Sequence, residues 1–309
     1  MPEVLFYADE PDPVPWVEAL QRALPEGRIH QWAPDHAPLC TYAVCWKPPT
    51  AFFAGQPNLK AILNIGAGAD AVIGDPNLPL DVPVVRLDDA GMAQQMEEYV
   101  AWCALNYLRR FDDYANAQRA AHWERLAPRG RAQFNIGVMG LGVLGLRVAA
   151  FMRLLGFPVR GWSRNPKSID GVACFAGDTG LAAFLAGTDM LVCLLPLTPA
   201  TRGILNSDNL AALPRGATLV NIARGAHLVE ADLIALLDSG HLAGATLDVF
   251  SPEPLVADSP LWHHSKINVT PHVSAMTLAD ESMQQIAQKI RRIERGQAVV
   301  GIIDRARGY

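Results

Sequence analysis

The chain is predicted to be an α/β protein in two domains, the larger of them a doubly wound parallel sheet. Three observations predict this. Strand-like and helix-like patterns alternate along nearly the whole length, the strand candidates of the second half are apolar throughout, and one of them runs through a glycine-rich turn directly into a helix. A chain of 309 residues with 50% hydrophobic and 18% charged content is long enough for two domains, each with its own core.

Val4 to Tyr7 is a short apolar run, and after proline-rich turn residues Trp16, Val17, Leu20 and Leu24 recur at helical spacing. Arg28 to Trp32, Thr41 to Trp46, Lys60 to Ile65 and Val82 to Leu87 follow as strand candidates separated by Pro, Gly and Asn. They predict a small flavodoxin-like α/β domain. From Met92 the pattern turns helical as far as Ala121, which predicts one long helix suited to bridging domains. A polar, proline-containing stretch, His122 to Gln133, then delivers the chain to a strand at Phe134. Further strands are expected at Pro158 to Trp162, Met190 to Leu195, Ala217 to Ala223, Ala243 to Val249 and Ile267 to Thr270, with helices between them that include Ser207 to Leu213 and Glu230 to Ser239. A final helix, Thr277 to Arg295, is long enough to return to the first domain. The expected division is therefore 1–97 with 280–309 as one domain and 98–279 as the other.

The segment FNIGVMGLGVLG, Phe134 to Gly145, is the chemical centre of this pattern. Gly140, Gly142 and Gly145 fall at the spacing G-x-G-x-x-G between a strand and a helix. There the first Gly permits the turn, the second admits a pyrophosphate, and the third lets helix and strand pack closely. N–H groups at the helix start face the anion. This predicts a Rossmann dinucleotide-binding domain. The next strand ends at Trp162-Ser163-Arg164 with Lys167 nearby, and no carboxylate stands there to repel a 2′-phosphate. Arg164 offers paired charge-assisted hydrogen bonds to such a phosphate and Ser163 one more, so the expected cofactor is NADP(H), with weaker use of NAD(H).

Composition excludes other classes. A net charge of −5 argues against a nucleic acid or an anionic membrane as partner. Five cysteines, odd in number and without a C-x-x-C pair, read as free thiols of a reducing compartment, with Cys45 and Cys193 as small core residues. The N-terminus has no signal-peptide pattern and no run reaches the ~18 apolar residues of a membrane span, so a cytoplasmic location is expected. The adjacent His263 and His264 read as a surface loop, because successive residues rarely converge on one ion, and no metal is expected.

Three strand ends offer catalytic side chains: Arg224 in NIARG, Asp248 and Glu253 in LDVFSPEPL, and His272 in TPH. Singly they have dull readings, as a solvated cation, a loop carboxylate and a surface imidazole. Together they follow strands of one parallel sheet, at the edge where ligands bind. In the first domain, Gly66-Ala67-Gly68-Ala69-Asp70 is either a nest of backbone N–H groups for a carboxylate or a tight turn with Asp70 in the first helical turn. Trp46, beside Lys47-Pro48-Pro49, either walls a pocket or closes the core.

With the glycine turn, LLPLTPATRGILN (Leu194 to Asn206), NIARG, LDVFSPEPL and TPH, the sequence resembles the D-isomer-specific 2-hydroxyacid dehydrogenase family over essentially its whole length. Through CWKPP, NIGAGAD, GMAQQMEEY, RRFDDY and the terminal DRARGY it is most similar to the members that reduce glyoxylate and hydroxypyruvate. The resemblance implies His272 as proton donor, Glu253 as its hydrogen-bonding partner, and Arg224 as the group that polarises the carbonyl and clamps the carboxylate of a small 2-oxo acid. It implies cofactor contacts at Val143, Leu144, Lys167, Leu195, Pro196, Thr201, Ile222, Ala223, Asp248 and Ser274 beside the glycines. Substrate contacts are implied at Trp46, Ala67, Gly68 and Met92, with closure of the domains over the substrate and a homodimer built on the long helix and the 122–133 arm. The alternatives are a reductase of a bulkier 2-oxo acid and an NAD(P)H-sensing, corepressor-like binding protein.

Overall fold

The computed structural model describes residues 1–308, and the chain resolves into two compact units, Met1–Met92 with Thr277–Tyr309 and Ala93–Met276. Unit 1 begins with β1 (Glu3–Ala8), α1 (Val14–Ala23), β2 (Arg28–Gln31), β3 (Tyr42–Trp46), β4 (Ala61–Asn64), α2 (Asp70–Ile73) and β5 (Val84–Arg86). Each strand lies where the apolar runs predict it. The sheet is wholly parallel in the order β2-β1-β3-β4-β5, with register such as Val4↔Tyr42 and Tyr42↔Ala61. Leu5, Ala43, Cys45, Ile62 and Val84 bury one face against Phe52, Phe53 and Val72. Cys45 is a core residue whose thiol burial pushes far above its ordinary value.

The long helix expected from Met92 to Ala121 is two helices, α3 (Met92–Arg109) and α4 (Phe111–Arg119). Arg110 breaks them apart with a left-handed backbone, φ 59°, and its Nε donates to Asp113 Oδ2 at 2.7 Å. The signal is in the charges: Arg109 and Arg110 suit the negative end of one helix dipole, and Asp112 and Asp113 the positive start of the next. Hydrophobic spacing alone carries straight through it.

Unit 2 continues with β6 (Ile136–Met139), α5 (Val143–Leu154), β7 (Val159–Ser163), β8 (Val172–Ala176), α6 (Gly177–Leu185), β9 (Met190–Cys193), α7 (Ser207–Ala211), β10 (Ala217–Asn221), α8 (Glu230–Asp238), β11 (Leu242–Leu247) and β12 (Ile267–Val269). The parallel order β12-β11-β10-β9-β6-β7-β8 winds outward both ways from β6. β6, β9 and β10 are buried along their whole length, which is why they read as unbroken apolar runs. β8 has no counterpart in the sequence expectations. It is an edge strand, VACFA, apolar throughout but built largely of small residues, and only Val172 is buried.

The C-terminal helix α9 (Ala279–Glu294) belongs to unit 1 and packs on α1 through Met283, Ile286, Ala287 and Ile290. Beyond it, Arg86 N–H donates to Gly301 O and Ile303 N–H to Val84 O, so the last segment covers the free edge of β5. Among the described residues no helix is long and apolar enough to cross a membrane.

Candidate active site

The strand order of unit 2 reverses between β6 and β9, and the glycine turn lies at that switch point, where ligands of such sheets bind. Its three glycines have separable reasons. Gly140 has φ 112°, and a Cβ there would stand 2.6 Å from Leu194 O. A Cβ on Gly145 would stand 1.9 Å from Gly140 O, so this position holds the helix against its own strand. A Cβ on Gly142 would meet nothing within 4 Å. No packing requirement explains Gly142. Open space above it, at the start of a helix with no side-chain cap, fits an approaching anion such as a pyrophosphate. Val143 and Leu144 are the first residues of that helix.

At the end of β7, Ser163 Oγ donates to Asn165 O at 2.8 Å, closing its own turn, while Arg164 is exposed. Lys167 Nζ donates to Leu141 O inside the glycine turn, which brings an ammonium to the rim of the same cradle. After β9, Leu195 and Pro196 open a turn locked by Thr201, whose Oγ1 donates to Pro196 O at 2.7 Å and accepts from Thr198 N at 2.8 Å. Cys193, just before it, is fully buried, and burial pushes its thiol up to about 12.

The Arg224 loop is shaped by buried polar groups. Asn221 Nδ2 donates to Arg224 O at 3.1 Å and its Oδ1 accepts from Ala223 N at 3.3 Å, while the fully buried His227 has its ring nitrogens 3.1 Å from Arg224 O and 3.3 Å from Pro196 O and donates to one of the two carbonyls. A Cβ on Gly225 would stand 2.0 Å from the Phe250 carbonyl carbon, so the backbone beside Arg224 lies directly on the loop carrying Glu253. The half-buried Arg224 donates through NH1 to Ala223 O at 2.7 Å. Ile222 and Ala223 are buried beneath it.

Asp248 is completely buried and holds the next loop together. Oδ1 accepts from Thr270 Oγ1 at 2.6 Å and Val273 N at 2.8 Å, Oδ2 accepts from Ser274 N at 2.9 Å, and the Asp248 carbonyl accepts from His272 N at 2.8 Å. These bonds hold His272 at φ 56°, a left-handed conformation that a residue other than Gly seldom adopts without such support. His272 Nδ1 lies 2.9 Å from Glu253 Oε2, and Glu253 Oε1 accepts from Phe250 N at 3.0 Å. A carboxylate can only accept, so Nδ1 carries a proton and Nε2 is the nitrogen turned to a reacting partner. The imidazole side chain is 38% exposed.

Unit 1 carries its own loop. Asn64 Nδ2 donates to Gly66 O at 2.8 Å and Gly68 O at 3.0 Å, gathering the carbonyls of Gly66-Ala67-Gly68 to one side. α2 then starts with Asp70 in its first turn. The Trp46 indole packs directly against this loop, since a Cβ on Gly66 would stand 2.2 Å from the ring. Met92 is buried.

Residues 101–274 match the family model described as "D-isomer specific 2-hydroxyacid dehydrogenase, NAD binding domain". The chain belongs to the D-isomer specific 2-hydroxyacid dehydrogenase family. Among solved structures, a family member from Xanthobacter autotrophicus Py2, in complex with NADPH and MES, is 44% identical with TM-score 0.95, covering 100% of this chain and 99% of that one. An NADPH-dependent glyoxylate/hydroxypyruvate reductase from Sinorhizobium meliloti, with NADP and sulfate, is 37% identical with TM-score 0.93, covering 100% of both chains. A probable 2-hydroxyacid dehydrogenase from Rhizobium etli CFN 42, with NADP, HEPES and L(+)-tartaric acid, is 36% identical with TM-score 0.92, again over 100% of both.

Asn64, Asn221 and Thr270 stand inside NIGAGAD, NIARG and TPH, yet these motifs do not tell that the two amides bond backbone and the hydroxyl bonds Asp248, and His227 lies outside them all. What each shows in the sequence is a polar side chain in the stretch that ends or follows an apolar strand. That signal is weak, because most such residues are turn formers.

Proposed function

We propose that this protein reduces small 2-oxo acids with NADPH, glyoxylate to glycolate and hydroxypyruvate to D-glycerate, and uses NADH more weakly. The observation that carries the reading is the His272–Glu253 pair at 2.9 Å, on the loops next to Arg224 at one sheet edge. Two further points support it: the open space at Gly142 and the cationic Arg164 and Lys167 where an NAD enzyme would place a carboxylate. The name of the Sinorhizobium meliloti relative points to the same substrates.

A nicotinamide cofactor held at the glycine turn by Gly142, Val143 and Leu144 would supply a hydride for the 2-oxo carbon. Negative charge then develops on the carbonyl oxygen. His272 delivers its Nε2 proton to that oxygen, the N–H electron pair stays on the ring, and Glu253 stabilises the imidazolium before transfer. Arg224 pairs with the substrate carboxylate and polarises the carbonyl, a task suited to a planar guanidinium. Ser163, Arg164 and Lys167 take the 2′-phosphate; Leu195, Pro196, Thr201, Ile222, Ala223, Asp248 and Ser274 line the cofactor's path. In unit 1, the backbone of Ala67 and Gly68 takes a carboxylate oxygen, and Trp46 and Met92 limit substrate size. A homodimer is supported by the apolar surface of unit 2, where Trp102, Leu105, Phe111 and Trp123 are exposed, Trp123 at 91%.

The test crosses NADPH and NADH with glyoxylate, hydroxypyruvate, pyruvate and phenylpyruvate in steady-state assays. The expected result is the highest kcat/KM with NADPH and either glyoxylate or hydroxypyruvate, ahead of pyruvate and phenylpyruvate. Faster turnover of phenylpyruvate would overturn the substrate assignment. No turnover with any of them would favour a cofactor-sensing binding protein.

A further inference from the structure

The loop that carries His272 is held from outside as well as by Asp248. Gln95 and Tyr99 stand one turn apart on one face of α3. Tyr99 Oη lies 2.6 Å from Thr270 Oγ1, and Gln95 takes both main-chain groups of Met276, Nε2 donating to the carbonyl at 2.9 Å and Oε1 accepting the N–H at 3.0 Å. The helix therefore grips the segment 270–276 at both ends, with His272 in its left-handed conformation between them.

The direction of the inner bonds follows from the chemistry. Asp248 Oδ1 can only accept, so Thr270 gives it its hydroxyl proton, and Tyr99 must be the donor to Thr270 Oγ1. Burial raises the Tyr99 phenol far above its ordinary value, so the O–H is kept. The relay runs Tyr99 O–H to Thr270 O–H to Asp248, whose carbonyl holds the His272 N–H and whose carboxylate holds the next two residues.

We propose that Tyr99 is a positioning residue for His272, acting through Thr270 and Asp248, and that Gln95 fixes the far end of the same loop. This rests on the reading of His272 as proton donor. Because Asp248 also stands on the cofactor's path, a positioning role shows as a loss of kcat larger than any change in KM for NADPH together with an altered His272 ring, and a merely structural role as a parallel loss of both.

The test compares Tyr99→Phe, Thr270→Val and Thr270→Ser in the full chain. Thr270→Val is expected to lower kcat for glyoxylate reduction about tenfold, the equivalent of about 1.4 kcal/mol in the barrier, and Tyr99→Phe about threefold. KM for NADPH should change by less than kcat does, and Thr270→Ser should restore most of the rate. In the protein without cofactor, ¹⁵N NMR of the His272 ring should show a shifted or broadened signal in Tyr99→Phe and Thr270→Val and a native one in Thr270→Ser. Wild-type kcat together with native ring signals in both hydroxyl-deleting variants would overturn the proposal, as would a parallel loss of kcat, NADPH affinity and folding in all three. Should Thr270→Val fail to fold, Tyr99→Phe decides alone. Absence of turnover in the wild type would count against the proposed function, and the ring signals would still report on positioning.

Discussion

The two units share an architecture of parallel strands with helices on their faces, yet they use their charged side chains differently. In unit 2 charge gathers at the carboxyl edge of the sheet: Arg224, Asp248, Glu253 and His272 all follow strands, and a glycine turn shares that edge. In unit 1 charge fastens α9 to the rest. Lys289 Nζ, almost wholly buried, donates to Asp88 Oδ2, Arg86 O and Val300 O at 2.8–2.9 Å. Arg291 pairs with Glu26, and Glu294 accepts from Tyr42 and Lys60. One topology thus serves chemistry in one unit and attachment of a sequence-distant helix in the other. Substitutions in the two should fail in different ways.

The largest effect belongs to the catalytic edge of unit 2. His272→Asn should reduce kcat on the order of 10³-fold, because a general acid contributes roughly that much, with little change in melting temperature. A near-native rate would break the contrast. Lys289→Met in unit 1 should do the reverse. It leaves Asp88 and two carbonyls without their shared cation, at a cost of about 3 kcal/mol in chemical denaturation. KM for NADPH should not move.

Arg164→Ala sharpens the comparison within unit 2, raising KM for NADPH about tenfold or more while KM for NADH stays nearly constant. Equal effects on both would remove Arg164 from the 2′-phosphate. The smallest effect is again in unit 1. Hydrogen bonding to Arg291 holds the Glu26 carboxyl down at about 2. A depressed folded-state value means that this contribution is present above the ordinary glutamate range and is lost as pH falls towards 2. Glu26→Gln should therefore lower the melting temperature slightly at neutral pH, with the difference from wild type shrinking on acidification, and only slightly because both side chains are well exposed.

The sequence showed most of this where a residue's reason is local. Gly140 and Gly145 are legible because each answers a backbone requirement of the turn itself, a positive φ and a close approach to Gly140 O, and Gly142 because it completes their spacing. The buried strands β6, β9 and β10 are legible because both faces are covered. β8 was hidden by its exposed edge position, and the α3–α4 break by an apolar spacing that continues across Arg110. Arg224, Glu253 and His272 stood out only as three charged or titratable residues at successive strand ends. The supports of the His272 loop were invisible, since Tyr99 and Thr270 are 171 positions apart and neither belongs to a pattern that predicts the meeting.

The central claim is that His272 supplies the proton as hydride arrives. It is tested most directly by the pH dependence of kcat/KM for glyoxylate with NADPH, for wild type and His272→Asn, where chemistry limits the rate. The account predicts that the wild-type value falls as rising pH removes the imidazolium, and that the residual activity of the variant lacks that fall. A flat wild-type profile, or the same limb in both proteins, would contradict it.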